Sequence, residues 1–108
     1  MGRLSGQRLI ELTRQEAEKY AGISPHAKAY FIADEVQQIY IVVGVENEPG
    51  PNSNWIIVQA HIKGDIVVID VDNVWDKQLW KALEQAGVPR EQIILAYKGE
   101  RLPEGSGA

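Results

Sequence analysis

The sequence predicts an α+β domain, a mostly antiparallel sheet with two helices packed on one face in the order α-β-β-β-β-α-β. Three observations carry this expectation. Apolar residues recur at helical spacing near the start of the chain and again in its last third. Between them lie four segments rich in β-branched and aromatic residues, separated by turn formers. Short links between consecutive strands favour an antiparallel meander, whereas a final β-α-β passage can set its strand parallel to another.

Residues 4–21 read as the first helix. Ile10, Thr13, Ala17 and Tyr20 recur at three- and four-residue spacing, with Leu9 beside them, and Glu11, Arg14, Gln15, Glu18 and Lys19 fill the polar side. Gly22 and then Pro25 stop it. AKAYFIA, residues 27–33, reads as a first strand and QQIYIVVGVE, residues 37–46, as a second. In the second, Ile39, Ile41, Val43 and Val45 face one way and Tyr40, Val42 and Gly44 the other. ENEPGPNSN is a long surface connection of turn formers. NWIIVQAHIK, residues 54–63, is a third strand, Gly64-Asp65 a tight hairpin turn, and IVVIDV, residues 66–71, a fourth strand. Asn73 is placed to cap the second helix, with Asp76 in its first turn. Trp75, Leu79, Ala82, Leu83 and Ala86 form its apolar stripe, and Gly87 and Pro89 end it. QIILAY, residues 92–97, is the last strand.

The chain has 108 residues, of which 44% are hydrophobic and 24% charged, an ordinary globular composition. One domain over residues 4–104 is expected, followed by a flexible tail at 105–108. There is no cysteine, which excludes a disulfide framework, a thiolate nucleophile and a cysteine-ligated metal. With no apolar run of membrane-spanning length and no secretory leader at the start, a soluble cytoplasmic protein is expected.

Charge is uneven along the chain. Residues 31–76 carry Lys63 alone against eight acidic residues, while the flanking segments are slightly basic. An acidic middle repels phosphate, so direct nucleic-acid binding by the protein alone is not expected. The basic residues of the first helix region, Arg3, Arg8, Arg14 and Lys19, are interleaved with Glu11, Glu16 and Glu18. The strands are apolar on both faces, and two helices cover only one. The uncovered face predicts self-association or a protein partner.

Chemistry-bearing motifs are sparse. His26 and His61 are the only histidines. His61 falls on the strand face shared by Trp55, Ile57 and Gln59, with Asp70 and Asp72 on or just past the adjoining strand. His61, Asp70 and Asp72 are therefore the candidate polar site, against a plain reading of a histidine bonded across a hairpin. No G-x-S-x-G, Walker A or G-x-G-x-x-G pattern is present, so no catalytic residue, metal or cofactor is assigned. Trp75 fits the core stripe. Trp55 and Trp80 are candidate interface residues.

Residues 56–100, IIVQAHIKGDIVVIDVDNVWDKQLWKALEQAGVPREQIILAYKGE, resemble the C-terminal half of XisI-like proteins. The closest agreement is the strand-turn-strand around Ile62-Lys63-Gly64 and the helix exit from Ala86 through Gly87-Val88-Pro89 into Ile93-Ile94-Leu95-Ala96-Tyr97. Tyr20-Ala21 near the end of the leading helix agrees as well. Many family members carry a D-G-T-E-like segment where this chain reads Asp72-Asn73-Val74-Trp75-Asp76. The family is named for control of excision of the fdxN DNA element in cyanobacteria. The resemblance implies a non-catalytic accessory protein that acts beside a recombinase by binding a second factor, XisH, of nuclease-like fold. It supplies no catalytic residue to carry over. An inhibitory, antitoxin-like partner of a nuclease-fold protein and a small-ligand-binding domain are the alternatives.

Overall fold

The computed structural model describes residues 2–102. The expected tail at 105–108, and the last two residues of the expected domain, lie outside the described residues. Two helices and a six-stranded sheet make up the fold: α1 Gly6–Glu18, β1 Gly22–Ile23, β2 Ala27–Asp34, β3 Ile39–Glu46, β4 Asn54–Lys63, β5 Ile66–Asp72, α2 Leu79–Gln85 and β6 Ile93–Leu95. The strands lie in the spatial order β1-β2-β3-β4-β5-β6. All neighbours are antiparallel except β5 and β6, which run parallel with Val67 opposite Ile93. The α+β meander and the parallel last strand are as the sequence predicts. The two-residue β1 was not expected, because it is held by backbone pairing to β2 and has no apolar alternation of its own.

Helix α1 is shorter than expected. Ser5 caps it, its Oγ accepting the amide of Arg8 at 3.1 Å. It ends four residues before Gly22, with the Tyr20 and Ala21 amides turned back onto Ala17 and Glu18. Its buried stripe is Leu9, Leu12, Thr13, Glu16 and Ala17. Leu12 thus joins the core, while Ile10 and Tyr20 pack at its margin.

Both helices meet one face of the sheet. Leu9, Leu12 and Ala17 of α1 and Leu79 and Leu83 of α2 share one cluster with Tyr40, Val42, Val58, Ala60, Val67, Ile69, Ile93 and Leu95. Removing this surface from water drives the fold at roughly 25 cal/mol per Å² of apolar area. The other face is open over β2 and β3, while Ile66 and Val68 of β5 are buried. Tyr30 and Ile32 on β2 are 48% and 51% exposed, and Ile41 and Val43 beside them are half-buried.

The β4–β5 hairpin turns at Gly64, whose φ of +64° suits the first central position of a type II′ turn. The start of the chain is tied to this turn. A Cβ on Gly6 would fall 2.7 Å from the Gly64 carbonyl oxygen, so only glycine permits the approach. Arg3 reaches the same turn through two hydrogen bonds to Asp65 Oδ2, at 3.0 and 2.8 Å. Beneath them lies Gln92, fully buried. Its Oε1 accepts the Leu4 amide at 2.8 Å, and its Nε2 donates to the carbonyls of Leu4 and Asp65 at 3.0 and 2.8 Å.

The second helix departs most from expectation. It begins at Leu79, with Gln78 as N-cap, rather than at Asn73. Asn73 instead extends the sheet: its amide donates to the Ile57 carbonyl and its Nδ2 to the Ile56 carbonyl, both at 2.8 Å. Residues 73–78 become a loop, Asp76 stands exposed in it, and Trp75 is 95% exposed. The expected core role of Trp75 is thereby overturned, because it lies outside the helix whose period would have turned it inward. The helix exit is as expected. Gly87 takes a φ of +113°, and the amides of Gly87 and Val88 return to the carbonyls of Glu84 and Leu83 in a Schellman arrangement.

The outer edge of β6 is closed by side chains. Arg90 Nη1 donates to the Ile93 carbonyl at 2.6 Å, and Glu100 Oε1 accepts the Leu95 amide at 2.9 Å. The Ile93 amide bonds the Arg90 carbonyl, and the Leu95 carbonyl accepts the Glu100 amide at 3.1 Å.

Candidate functional site

Two β-bulges decide where the expected site residues go. On β5, Gln59 faces Val71 while Ala60 faces Ile69, so Asp70 is an extra residue in the ladder. An unbroken strand would put Asp70 and Asp72 on the same face. The bulge separates them. His61 and Asp70 meet on the open face, with His61 Nδ1 and Asp70 Oδ2 2.7 Å apart and both side chains about one-third exposed. Asp72 is set opposite Val58, a core residue, and turns to the helix side. Of the three expected residues the structure brings two together and places the third across the sheet.

Asp72 there organises the approach to α2. Its Oδ1 accepts the Val74 amide at 3.1 Å and its Oδ2 the Leu79 amide at 2.8 Å. Burial raises its pKa above the usual carboxylate range, opposed by the two amide hydrogen bonds and by Lys98. Tyr20 lies in its field. Its hydroxyl donates to the Lys77 carbonyl, and burial, then Asp72 and Glu16, push its pKa up to about 12. Tyr97 is raised too, by burial, Asp72 and Glu100, and Tyr40 by burial and Glu35. All three should ionise above the ordinary tyrosine value of 10.0 in an alkaline absorbance titration. The sign follows from linkage: Tyr20's contribution to stability is full below its unfolded pKa and is lost as pH rises through about 12. A titration showing all tyrosines ionised together near the ordinary value would contradict this arrangement.

The second bulge lies on β4. Val42 faces Val58 while Val43 faces Ile56, leaving Ile57 extra. Trp55 is thereby moved off the His61 face expected for it and set opposite Gly44, on the side of Tyr40 and Val42. Its ring lies over Gly44, where a Cβ would be 2.5 Å from Cε2 and Cζ2. Trp55 also walls a shallow cleft with Tyr20, Ile23, Lys28 and Ile57. Gly44→Ala is expected to swing the indole outward at a cost of about 1–2 kcal/mol, read as a lowered urea midpoint and increased acrylamide quenching. Trp80, the other expected interface residue, is part-buried. Its Nε1 donates to Gln78 Oε1 at 2.9 Å, and Arg90 and Lys81 lie over its ring at 5.4 and 5.6 Å.

Each basic side chain of the first helix region has an acidic partner: Arg3 with Asp65, Arg8 with Glu11, Arg14 with Glu35 and Lys19 with Glu16. Among the described residues no group of three His, Asp or Glu is placed to hold a metal ion, and no helix is long and apolar enough to cross a membrane. Sequence reasoning missed both bulges. Their only trace is the uninterrupted apolar run through Ile57 and the aspartate inside β5, neither of which marks a bulge by itself.

The chain is an α+β domain with an antiparallel meander, a parallel last strand and its helices confined to one face of the sheet. The chain belongs to the XisI protein family, which it matches over residues 4–106. It is similar in structure to an XisI-like protein from Anabaena variabilis ATCC 29413, with a TM-score of 0.61 at 22% identity, covering 94% of this chain and 88% of that one. It is also similar to the fdxN element excision controlling factor XisI of the same organism, with a TM-score of 0.54 at 18% identity and 84% of each chain covered. At these identities the likeness shows the shared fold. No curated protein matches the chain.

Proposed function

We propose that this protein is a non-catalytic accessory factor that acts in site-specific DNA excision by binding a protein of the XisH type. The observation that carries the reading is membership of the XisI family over nearly the whole chain. The structural neighbour named as the fdxN element excision controlling factor supports it. So does the open face around Ile41, Val43 and Ile56, flanked by the His61–Asp70 pair. The pairing of the first-helix cations with carboxylates favours action through a protein over direct contact with phosphate. The deficit of cations between residues 31 and 76 suits a partner surface that is apolar at its centre and basic at its rim.

Co-expression with an XisH-like protein, followed by sizing, tests the reading. A stoichiometric complex is expected. Ile41→Glu should weaken it about tenfold or more while leaving the circular dichroism spectrum intact. Failure of the two proteins to associate at micromolar concentration would overturn the partner assignment.

A further inference from the structure

The free edge of β2 has a self-complementary register. The backbone of Ala27 faces β1: its amide donates to Ser24 Oγ at 3.2 Å and its carbonyl accepts the Ser24 amide at 2.9 Å. Strand geometry alternates, so Ala29, Phe31 and Ala33 turn their amides and carbonyls to the same side. Gly22 of β1 pairs with Ala29, and there β1 ends. Beyond it, among the described residues, nothing pairs with the outer side of residues 30–34. The amides and carbonyls of Phe31 and Ala33 are thus unpaired along a stretch, residues 30–34, that holds no proline and no lysine and whose one charge, Asp34, is engaged by the amides of Val36 and Gln37.

We propose that a second copy of this chain pairs along this edge, β2 antiparallel to β2, about a two-fold axis at Ile32. The free window is symmetric about that residue. Phe31 then faces Ala33 of the second copy, and each pair exchanges two backbone hydrogen bonds, satisfying all the open groups. A large side chain opposes a small one at both pairs on the helix face. On the open face Ile32 meets Ile32, removing from water a side chain that is 51% exposed in one copy. A centre at Phe31 would require Ala29, which β1 already holds. A centre at Ala33 would run into the turn that Asp34 caps through the amides of Val36 and Gln37. The register about Ile32 also brings the Val36 turn of one copy toward the end of β1 of the other. Val36 and Ile23, the aliphatic residues at these two places, are 92% and 82% exposed in one copy.

Because the chain has no cysteine, a single introduced thiol reports the register directly. Residue 32 would face itself in a non-hydrogen-bonded pair, where Cα atoms lie about 4.5 Å apart, within disulfide reach. Ile32→Cys should oxidise to a covalent dimer in high yield. Tyr30→Cys and Asp34→Cys should each fail to do so alone and should cross-link when mixed. Light scattering should give a dimer for the unaltered chain. Ala33→Pro, which removes an edge amide but no β2–β3 bond, should give a folded monomer. A monomer at all concentrations, or a dimer that survives Ala33→Pro and does not cross-link through position 32, overturns the proposal. Complex formation of the monomeric variant with the XisH-like protein is a separate readout, so either reading can fail alone.

Discussion

Gln92→Leu should destabilise the protein by about 3 kcal/mol, because it strands three part-buried backbone groups at once. The amide and carbonyl of Leu4 and the carbonyl of Asp65 all use this one side chain. Leucine fills a similar volume but accepts and donates nothing. The loss should fall first on the start of the chain. Hydrogen exchange at Leu4 and the first turn of α1 should rise by orders of magnitude before β3 and β4 respond. Gln92→Glu is the sharper control. A carboxylate can still accept from Leu4 but turns an oxygen to two carbonyls, so it should be at least as damaging near neutral pH. A variant with leucine at this position that melts within a degree or two of the parent would refute the clamp.

Asp72→Ala should cost about 2–3 kcal/mol, since the amides of Val74 and Leu79 both lose their acceptor and Leu79 lies fully buried. Asp72→Asn keeps one acceptor and should lose about half as much. The pH dependence separates this carboxylate from others. Its folded pKa is raised, so the folded state holds its proton longer than the unfolded chain does. Stability therefore falls as pH rises from the ordinary aspartate value to the raised one. Glu100 has the opposite sign. Its pKa is lowered by the Leu95 amide and by Arg90, so its contribution is present above the ordinary value and lost as pH falls through the lowered one. Denaturation of Asp72→Asn across the acid range should show the falling slope removed. An unchanged profile would mean that Asp72 is not held as described.

The order of elements, the hairpin at Gly64 and the stop at Gly87 were legible because each has a local cause. Alternating burial in β3 and a positive φ at two glycines are written in a few neighbouring residues. What escaped has causes distant in sequence. A β-bulge adds one residue to a ladder and reverses the facing of everything beyond it, and the run Trp55-Ile56-Ile57-Val58 gives no sign of where this occurs. Trp55 and Asp72 both changed faces for this reason. The late start of α2 is similar. Asn73 was expected to cap the helix and instead bonds to Ile56 and Ile57, a choice made by the strand next door. The contact of His61 with Asp70 was within reach, because the two-residue turn sets His61 opposite Val68, and Asp70, two residues further on, lies diagonal to it on the same face.

The two margins of the sheet are unlike, and the difference governs how far assembly can go. At β6, Arg90 and Glu100 occupy the carbonyl of Ile93 and the amide of Leu95, and local backbone takes the remaining two groups. At β2, among the described residues, the outer side of the window from residue 30 to 34 is unpaired. A sheet with two sticky margins propagates into a filament, whereas one with a single sticky margin is used up when two copies meet. The Arg90–Glu100 pair is therefore a terminator as well as a local brace. Its removal would open the Ile93 carbonyl and the Leu95 amide, half of the groups on that margin, and would leave the other half on local backbone.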